Sequence, residues 1–404
     1  MPNNHPSAQR SVGQHVSRNV VIIAFVALFS GWGQDLVAPA LPAFLILLGF
    51  NHASIGFIDG LLQSATSIFR FVSGIVSDKY RDRKTFVFLG YALSSITRPL
   101  LAFASSLPFI AGLRLLDGVG KGTKDAPRDA LVADSSSDET HGRAFGFHRF
   151  IDTAGSVFGP LMATGILFLL TPTLFAYRVV FAMAAIPGMI ALALIWFGVR
   201  EPEKKSFKAK RLREPFPWTF WLFTAGTAVA MLTKINDALF LVRAQDIGIP
   251  PTWIPLLFAG FTLIYAVLSY PIGIWSDRIG KLPLITAGWL VMACVELGFA
   301  YESSIFTALI LFAFFGLFYA LTEGSGRAFI ADIVSTEQRG SAYAVFHTIV
   351  GLSVIVGGYT LGHVWDVMSS GMAFKLSAMG SFVGFAILLV MLVLQRRQVK
   401  QKTT

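Results

Sequence analysis

Apolar stretches recur along the whole chain, at 20–30, 157–170, 179–199, 255–275, 305–321 and 381–394 among others. Runs approaching 20 residues match the thickness of a bilayer's hydrocarbon core. Twelve spans can be drawn, near 19–47, 52–76, 85–104, 108–133, 142–170, 175–199, 217–244, 252–275, 282–300, 304–332, 340–365 and 372–395. Connections between them are too short for a soluble domain. The expected fold class is therefore an all-α membrane protein of twelve transmembrane helices. Its expected organisation is a tail (1–18), a six-helix half (19–199), a basic linker (200–216), a second six-helix half (217–395) and a short tail (396–404).

Charge placement sets the expected topology. Only 14% of residues are charged, against roughly a quarter in a soluble domain. The net charge of +10 raises nucleic acid as a partner, but the basic residues cluster at alternate span ends. Lys79, Arg81, Arg83 and Lys84 flank spans 2 and 3; Arg200, Lys204, Lys205, Lys208, Lys210, Arg211 and Arg213 fill the linker. Arg278 and Lys281 follow span 8, and Arg396, Arg397, Lys400 and Lys402 follow span 12. The other short loops, near 48–51, 105–107, 171–174, 245–251 and 301–303, have no Lys or Arg. This asymmetry is the positive-inside pattern and predicts both termini in the cytoplasm, with the chain in the inner membrane. The polar N-terminal tail lacks a signal-peptide layout, in keeping with that side. The basic balance thus reports topology, and no nucleic-acid partner is expected. Cys294, the only cysteine, lies in an apolar span, which excludes a disulfide and a cysteine-based metal site. No His/Asp/Glu cluster has metal-ligand spacing, and no cofactor is expected. His148 and His347, at the starts of spans 5 and 11, read as interfacial.

An internal repeat divides the chain. "GIVSDKYRDRK" (74–84) follows span 2 and "GIWSDRIGK" (273–281) follows span 8. "ALVADSSSDETHGRAF" (130–145) and "AFIADIVSTEQRGSAY" (328–343) share Ala-x-x-Ala-Asp, then Glu, then Gly at equal steps. The two pairs are offset by 199 and 198 residues, so each half copies the other. Parallel six-span repeats point to a secondary transporter with its site between the halves at the midplane.

With these motifs in place the chain resembles the major facilitator superfamily over nearly its whole length. The superfamily's loop signature Gly-x-x-x-Asp-Arg-x-Gly-Arg-Lys is matched by Gly273, Asp277, Arg278, Gly280 and Lys281. The first-half copy keeps Gly74, Asp78, Arg83 and Lys84 but has Arg81 and Asp82 where the loop glycine belongs. "DLVAPALP" (35–42) resembles the span-1 motif of twelve-span drug–proton antiporters, and "GSVFGPLMATG" (155–165) is similar to their span-5 motif. "LRLLDGVGKG" resembles their span-4 motif with Asp117 in place of Gln. The resemblance implies gating by Gly74, Asp78, Arg83, Gly273, Asp277 and Arg278. There the loop aspartate caps a helix N-terminus and latches the two halves on the cytoplasmic side.

Span 4 carries the densest charge: "RLLDGVGKGTKDAPRD" (114–129) has seven charged side chains. On a helix Arg114, Asp117, Lys121, Lys124 and Arg128 fall within an arc of about 80°. A charge at the bilayer centre costs about 2.5–3.5 kcal/mol on insertion scales, so the stripe must face a wet cavity or charged partners. Internal pairing is one reading, because Arg114–Asp117, Lys121–Asp125 and Asp125–Arg128 sit at i, i+3 or i+4. A substrate or proton role for Arg114, Asp117 and Lys121 is the other. Asp35 lies in the Pro-rich span 1. Arg149 with Asp152, Lys234 with Asp237, and Glu323 with Arg327 sit one turn apart and read either as clasps or as site residues. Asp59 and Gln63 in span 2, Arg98 in span 3 and Glu296 in span 9 read as unpaired polar residues, although Glu296 could lie near an aqueous end.

The expected activity is alternating-access transport of a small polar or anionic organic molecule. Its leading form is a monomeric proton-coupled antiporter working in efflux. Asp117 and Asp35 are the proton-coupling candidates; Arg114, Lys121, Arg149, Asp152, Lys234, Asp237 and Glu323 are the substrate-binding ones. A proton-coupled symporter importing an organic anion is the alternative. A membrane enzyme or receptor ranks behind both, because no nucleophile–base pair, metal-ligand set or signalling domain is visible.

Overall fold

The structure, a computed structural model, describes residues 17–80, 82–136, 141–201, 215–301, 304–335 and 338–403. Span 1 is built from α1 (Arg18–Val37) and α2 (Leu41–Leu47), span 2 from α3 (His52–Tyr80) and span 3 from α4 (Arg83–Leu100). Span 4 is α5 (Leu107–Asp134), span 5 is α6 (His141–Leu170), and span 6 joins α7 (Leu174–Met183) to α8 (Ala185–Gly198). Span 7 joins α9 (Trp218–Thr233) to α10 (Asp237–Asp246); span 8 is α11 (Ile254–Ile279) and span 9 is α12 (Lys281–Tyr301). Spans 10 to 12 are α13 (Ile305–Ile333), α14 (Arg339–Val367) and α15 (Ser370–Thr403). Ten of the twelve are long and apolar enough to cross a membrane on length and composition alone. Spans 2 and 4 are equally long, 29 and 28 residues, but hold the polar and charged residues that the cavity uses.

Span 7 differs from the single run drawn from its hydropathy. The chain leaves the helix at Lys234 and re-enters at Asp237, with Asn236 as N-cap: its side chain accepts from the Leu239 amide. This is the usual way a polar side chain starts a helix.

The two halves make matching contacts. Arg83, at the start of span 3, pairs with Asp134 at the end of span 4. Its counterpart Lys281, at the start of span 9, pairs with Asp332 at the end of span 10 at 2.7 Å. Both members of the second pair lie 198 residues beyond those of the first, so the sequence repeat is a repeat of structure. The start of span 3 is tied further: the Glu201 carboxylate accepts from the Arg83 and Lys84 amides at 3.0 and 2.8 Å.

The halves meet chiefly through spans 2 and 11, and through spans 5 and 8. Along spans 2 and 11 the backbones touch: a Cβ built on Gly56 would lie 2.0 Å from the Gly358 carbonyl oxygen. At the outer end of this seam the Asp366 carboxylate accepts from the His52 and Ala53 amides at 3.0 and 2.9 Å, and from the His52 ring at 2.7 Å. The His52 ring also stacks on Trp365, with centroids 4.6 Å apart. The opposite face carries the starts of spans 1 and 7 and the ends of spans 6 and 12. There a Cβ on Gly146, Gly273 or Gly340 meets nothing within 4 Å, and one on Gly74 meets only Ala126 of its own half. Among the described residues the structure is therefore closed on the loop face and open on the opposite one.

The Gly56–Gly358 seam makes a direct prediction. Gly56→Ala inserts a methyl group where the backbones touch, which should weaken the closure by about 1–3 kcal/mol, as overpacking does. Spin-label distances across the outer ends of spans 2 and 11 should then lengthen. An unchanged distribution would show that the seam yields without cost.

Candidate functional site

Three adjoining chambers, of about 300, 340 and 330 Å³, lie between the halves. Lys121, Tyr319 and Glu323 line all three, so the chambers are parts of one central cavity. One chamber is faced by Met231, Phe223, Trp289, Phe318 and Phe346 of the second half. Another is strongly polar, with Asp35, Arg70, Arg128, Arg149, Asp152 and Arg327 among its walls. The third reaches Asp59 and Arg114 towards the closed face.

Span 4 sorts most of its charges into two ion-paired clusters, each with more cations than carboxylates. Asp117, 2% exposed, is held between two guanidinium groups: Arg98 Nε reaches its carboxylate at 3.2 Å and Arg114 Nη1 at 3.0 Å. Arg98 also donates to the Ser30 carbonyl at 3.1 Å, which ties spans 1, 3 and 4 together. Asp125 receives Arg70 from span 2, with Lys124 at 3.7 Å and Arg128 at 3.5 Å. Lys124 also lies over the Tyr91 ring, 4.3 Å from its centroid. Between the clusters stands Lys121, which makes no ion pair among the described residues. The Lys121–Asp125 pair expected from spacing does not form, because Arg70, Lys124 and Arg128 already surround that carboxylate.

The remaining walls carry carboxylates, some paired and some not. Asp35 is 5% exposed and has Gln34 Nε2 at 3.2 Å, but no cation within ion-pair distance among the described residues. Asp59 accepts from Gln63 at 2.8 Å. A polar chain crosses between the halves: Arg149, 3.7 Å from Asp152, donates to the Tyr265 hydroxyl at 3.1 Å, and that hydroxyl donates to Glu323 at 2.6 Å. Glu323 in turn pairs with Arg327. Lys234 sits in the break of span 7, 3.1 Å from Asp237, and the Tyr319 hydroxyl donates to Asp237 at 2.7 Å.

The expected site residues are thus placed as follows. Asp35, Arg114, Lys121, Arg149, Asp152, Asp237 and Glu323 line the cavity. Asp117 and Lys234 lie behind its wall, each held by a residue that lines it. Arg98 is not the unpaired cation its own span suggested, since its partner Asp117 comes from span 4. Glu296 lies at no aqueous end and is fully buried. His148 is likewise buried rather than interfacial, at 5% exposure, while His347 lines the aromatic chamber. Of the gating residues, Asp277 and Arg278 are exposed and Gly273 faces open space. Arg83 is engaged within its own half, and the Asp78 side chain lies outside the described residues. Sequence reading missed Arg70, Tyr265 and Tyr319. Arg70 was detectable as a cation inside an apolar run, whereas the tyrosines carry no such signal.

Twelve spans in two repeated halves around a charged midplane cavity define a secondary-transporter architecture. The comparisons with known proteins agree. Residues 23–241 and 222–404 match the sequence profile of the Major Facilitator Superfamily, and the chain belongs to that family. It is 31% identical over 362 residues to an uncharacterised MFS-type transporter of Methanocaldococcus jannaschii, covering 88% of this chain and 90% of that one. It is 27% identical over 403 residues to a probable 4-methylmuconolactone transporter of Cupriavidus pinatubonensis, covering 92% and 90%. Among solved structures, the nucleoside transporter NupG superimposes with a TM-score of 0.74 at 16% identity, covering 92% of this chain and 98% of that one. That likeness is one of fold.

The Asp117 cluster predicts a stability effect. Asp117→Asn removes the only anion between two buried guanidinium groups, and breaking such a cluster costs about 3–5 kcal/mol. Thermal unfolding of the purified variant in detergent should occur well below that of the parent. An unshifted transition would mean that the arginines are hydrated in place.

Proposed function

We propose that the chain is a proton-coupled transporter of a small organic anion that works by alternating access. The observation that carries this reading is Lys121, a cation with no ion-pair partner among the described residues, on the wall shared by all three chambers. A lone cation in a membrane-embedded cavity is functional by default. Here it offers an anionic group its countercharge, with Arg114 and Arg149 as further donors along the same wall. Asp152, and Glu323 through Tyr265, orient Arg149, while Asp237 holds Lys234; these carboxylates receive any positive end of the substrate. Asp35 carries the proton, because it faces the same cavity with no cation within ion-pair distance among the described residues. Asp117 takes part through Arg114, whose charge it shares between its own carboxylate and the substrate. The relative named as a probable 4-methylmuconolactone transporter supports an organic molecule of modest size as cargo.

Antiport is the leading direction. The span-5 motif that resembles drug–proton antiporters packs on span 1 beside Asp35: a Cβ on Gly155 would lie 2.1 Å from the Leu28 carbonyl, and one on Gly159 2.5 Å from that of Trp32. Symport of an organic anion uses the same residues, and Asp117 in place of the antiporter Gln favours it. In this reading the open face is cytoplasmic, the membrane is the inner one and the loops at 74–84 and 273–281 close that face.

Proteoliposomes loaded with candidate monocarboxylates and lactone carboxylates separate the alternatives. An imposed pH gradient should drive substrate against the proton flow for antiport and with it for symport. Movement insensitive to either gradient would overturn proton coupling. Lys121→Gln should weaken substrate binding roughly ten- to a hundredfold, the value of a hydrogen bond to a charged group. An unchanged affinity would remove Lys121 from the site. Single cysteines placed in 200–216 should resist an impermeant thiol reagent added to intact cells and react after lysis; labelling from outside would invert the topology.

A further inference from the structure

A second carboxyl group lies outside the cavity and outside the mechanism described above. Glu296, on span 9, is fully buried and lines none of the three chambers. It forms no ion pair among the described residues. Its two oxygens instead accept from serine hydroxyls of span 12: Ser377 on Oε1, and Ser381 on Oε2 at 2.6 Å. The charged groups on the elements packed around it are engaged elsewhere. Lys234 and Asp237 of span 7 pair with each other at 3.1 Å. Arg243, further along span 7, donates to the Phe299 carbonyl at 3.2 Å. The Lys375 ammonium of span 12 lies over the Tyr301 ring at 4.5 Å. On span 10, Glu323 and Arg327 pair in the cavity.

An ionised carboxylate so placed has no cation within ion-pair distance among the described residues, Lys234 acting on it only at longer range, and it is shut off from solvent, an arrangement that a buried charge tolerates poorly. A neutral acid fits it well. The hydroxyls of Ser377 and Ser381 can each donate or accept, so they serve the carboxyl group with or without its proton. Ser377 does more, because its oxygen accepts from the Ile235 amide at 2.8 Å. Ile235 is in the break of span 7, and its two neighbours there lead elsewhere. Lys234 holds Asp237 on the cavity wall, where Tyr319 also binds it. Asn236 donates across the molecule to the Gly56 carbonyl at 2.9 Å, on the seam that closes the loop face. Three adjacent residues thus connect a buried acid, the cavity and the closure.

We propose that Glu296 is a proton-binding site whose occupancy is read by the break in span 7, through Ser377 and Ile235. The proposal deepens the proton-coupled reading and rests on it for its role in transport. Loading the proton keeps the acid neutral beside Ser377 and holds the break in the geometry seen here, with Asn236 on Gly56. Losing it puts a charge on Glu296, which draws Lys234 away from Asp237 and loosens both the cavity wall and the seam. The break is the two-state element through which a buried proton and a substrate bias one equilibrium. The step involves only transfer of a proton between Glu296 and water admitted when the break opens.

Two measurements on the full-length protein test this. Infrared difference spectra of the purified protein should contain a protonated-carboxyl carbonyl band at neutral pH that is lost in Glu296→Gln. A spectrum unchanged by that substitution would overturn the proposal, because Glu296 would then be ionised. In proteoliposomes, Glu296→Gln should lose transport driven by a pH gradient but retain substrate exchange at equal pH. Ser377→Ala should keep the band and weaken the drive, since it cuts the link without removing the acid. If the parent protein responds to a pH gradient and Glu296→Gln responds equally, the proposal falls while the proton-coupled reading stands. If the parent shows no response at all, the reading itself falls, and the infrared band alone decides whether Glu296 binds a proton.

Discussion

Neutralising charge inside a hydrocarbon slab is the constraint on which this structure depends. Span 4 brings eight charged side chains into a helix of 28 residues, and lipid cannot surround them. The neighbouring spans therefore each send a partner: span 3 supplies Arg98 to Asp117, and span 2 supplies Arg70 to Asp125. Those contacts pin spans 2, 3 and 4 into one body, and the Arg98 bond to the Ser30 carbonyl adds span 1. What remains unpaired among the described residues is then informative. Once both clusters are satisfied, Lys121 is the span-4 cation left facing the cavity, and it stands where the three chambers meet.

The second half satisfies the same constraint with different chemistry. Its cavity wall uses tyrosine hydroxyls as intermediaries, Tyr265 to Glu323 and Tyr319 to Asp237, and lines one chamber with aromatic rings. Lys234 lies 5.5 to 5.9 Å from the ring centroids of Phe315, Phe318 and Tyr319, where the π-faces favour its charge. The cavity is thus asymmetric although the scaffold is repeated. The first half presents most of the fixed charges, and the second an aromatic surface with oriented hydroxyls beside Asp237, Glu323 and Arg327. The organic anion proposed as substrate has both characters, a charged end for the first wall and a hydrocarbon body for the second.

Much of this was legible in the sequence, and the boundary of legibility is physical. Spans follow from apolar run length, and the repeat survives in loop residues that make the same ion pair in each half, Arg83–Asp134 and Lys281–Asp332. Pairs one turn apart on a helix were readable for the same reason, as with Arg114–Asp117 and Lys234–Asp237. Partners from other spans were not, because spacing says nothing of which helix faces which. Arg98 and Arg70 therefore had no visible partner, and the carboxylate of Asp125 went to residues that spacing did not favour over Lys121. The break in span 7 hid behind its hydropathy. Asn236 followed directly by Asp237 is nonetheless a helix-start signal, and weighing it against the apolar run would have found the break.

That break also explains why the closed face is closed where it is. A continuous span 7 would present no free amide to Ser377 and no capping asparagine to Gly56. Interrupting the helix frees backbone groups that hydrocarbon cannot satisfy, so each must find a partner inside the protein. The Ile235 amide finds Ser377, and the Asn236 side chain both caps α10 and crosses to span 2. The crossing lands on Gly56, at the point where spans 2 and 11 touch backbone to backbone. Opening the loop face must separate Gly56 from Gly358, and that movement also strains the Asn236 contact. The cavity, the buried acid and the seam are therefore joined by the bonds that make a broken helix tolerable in a membrane.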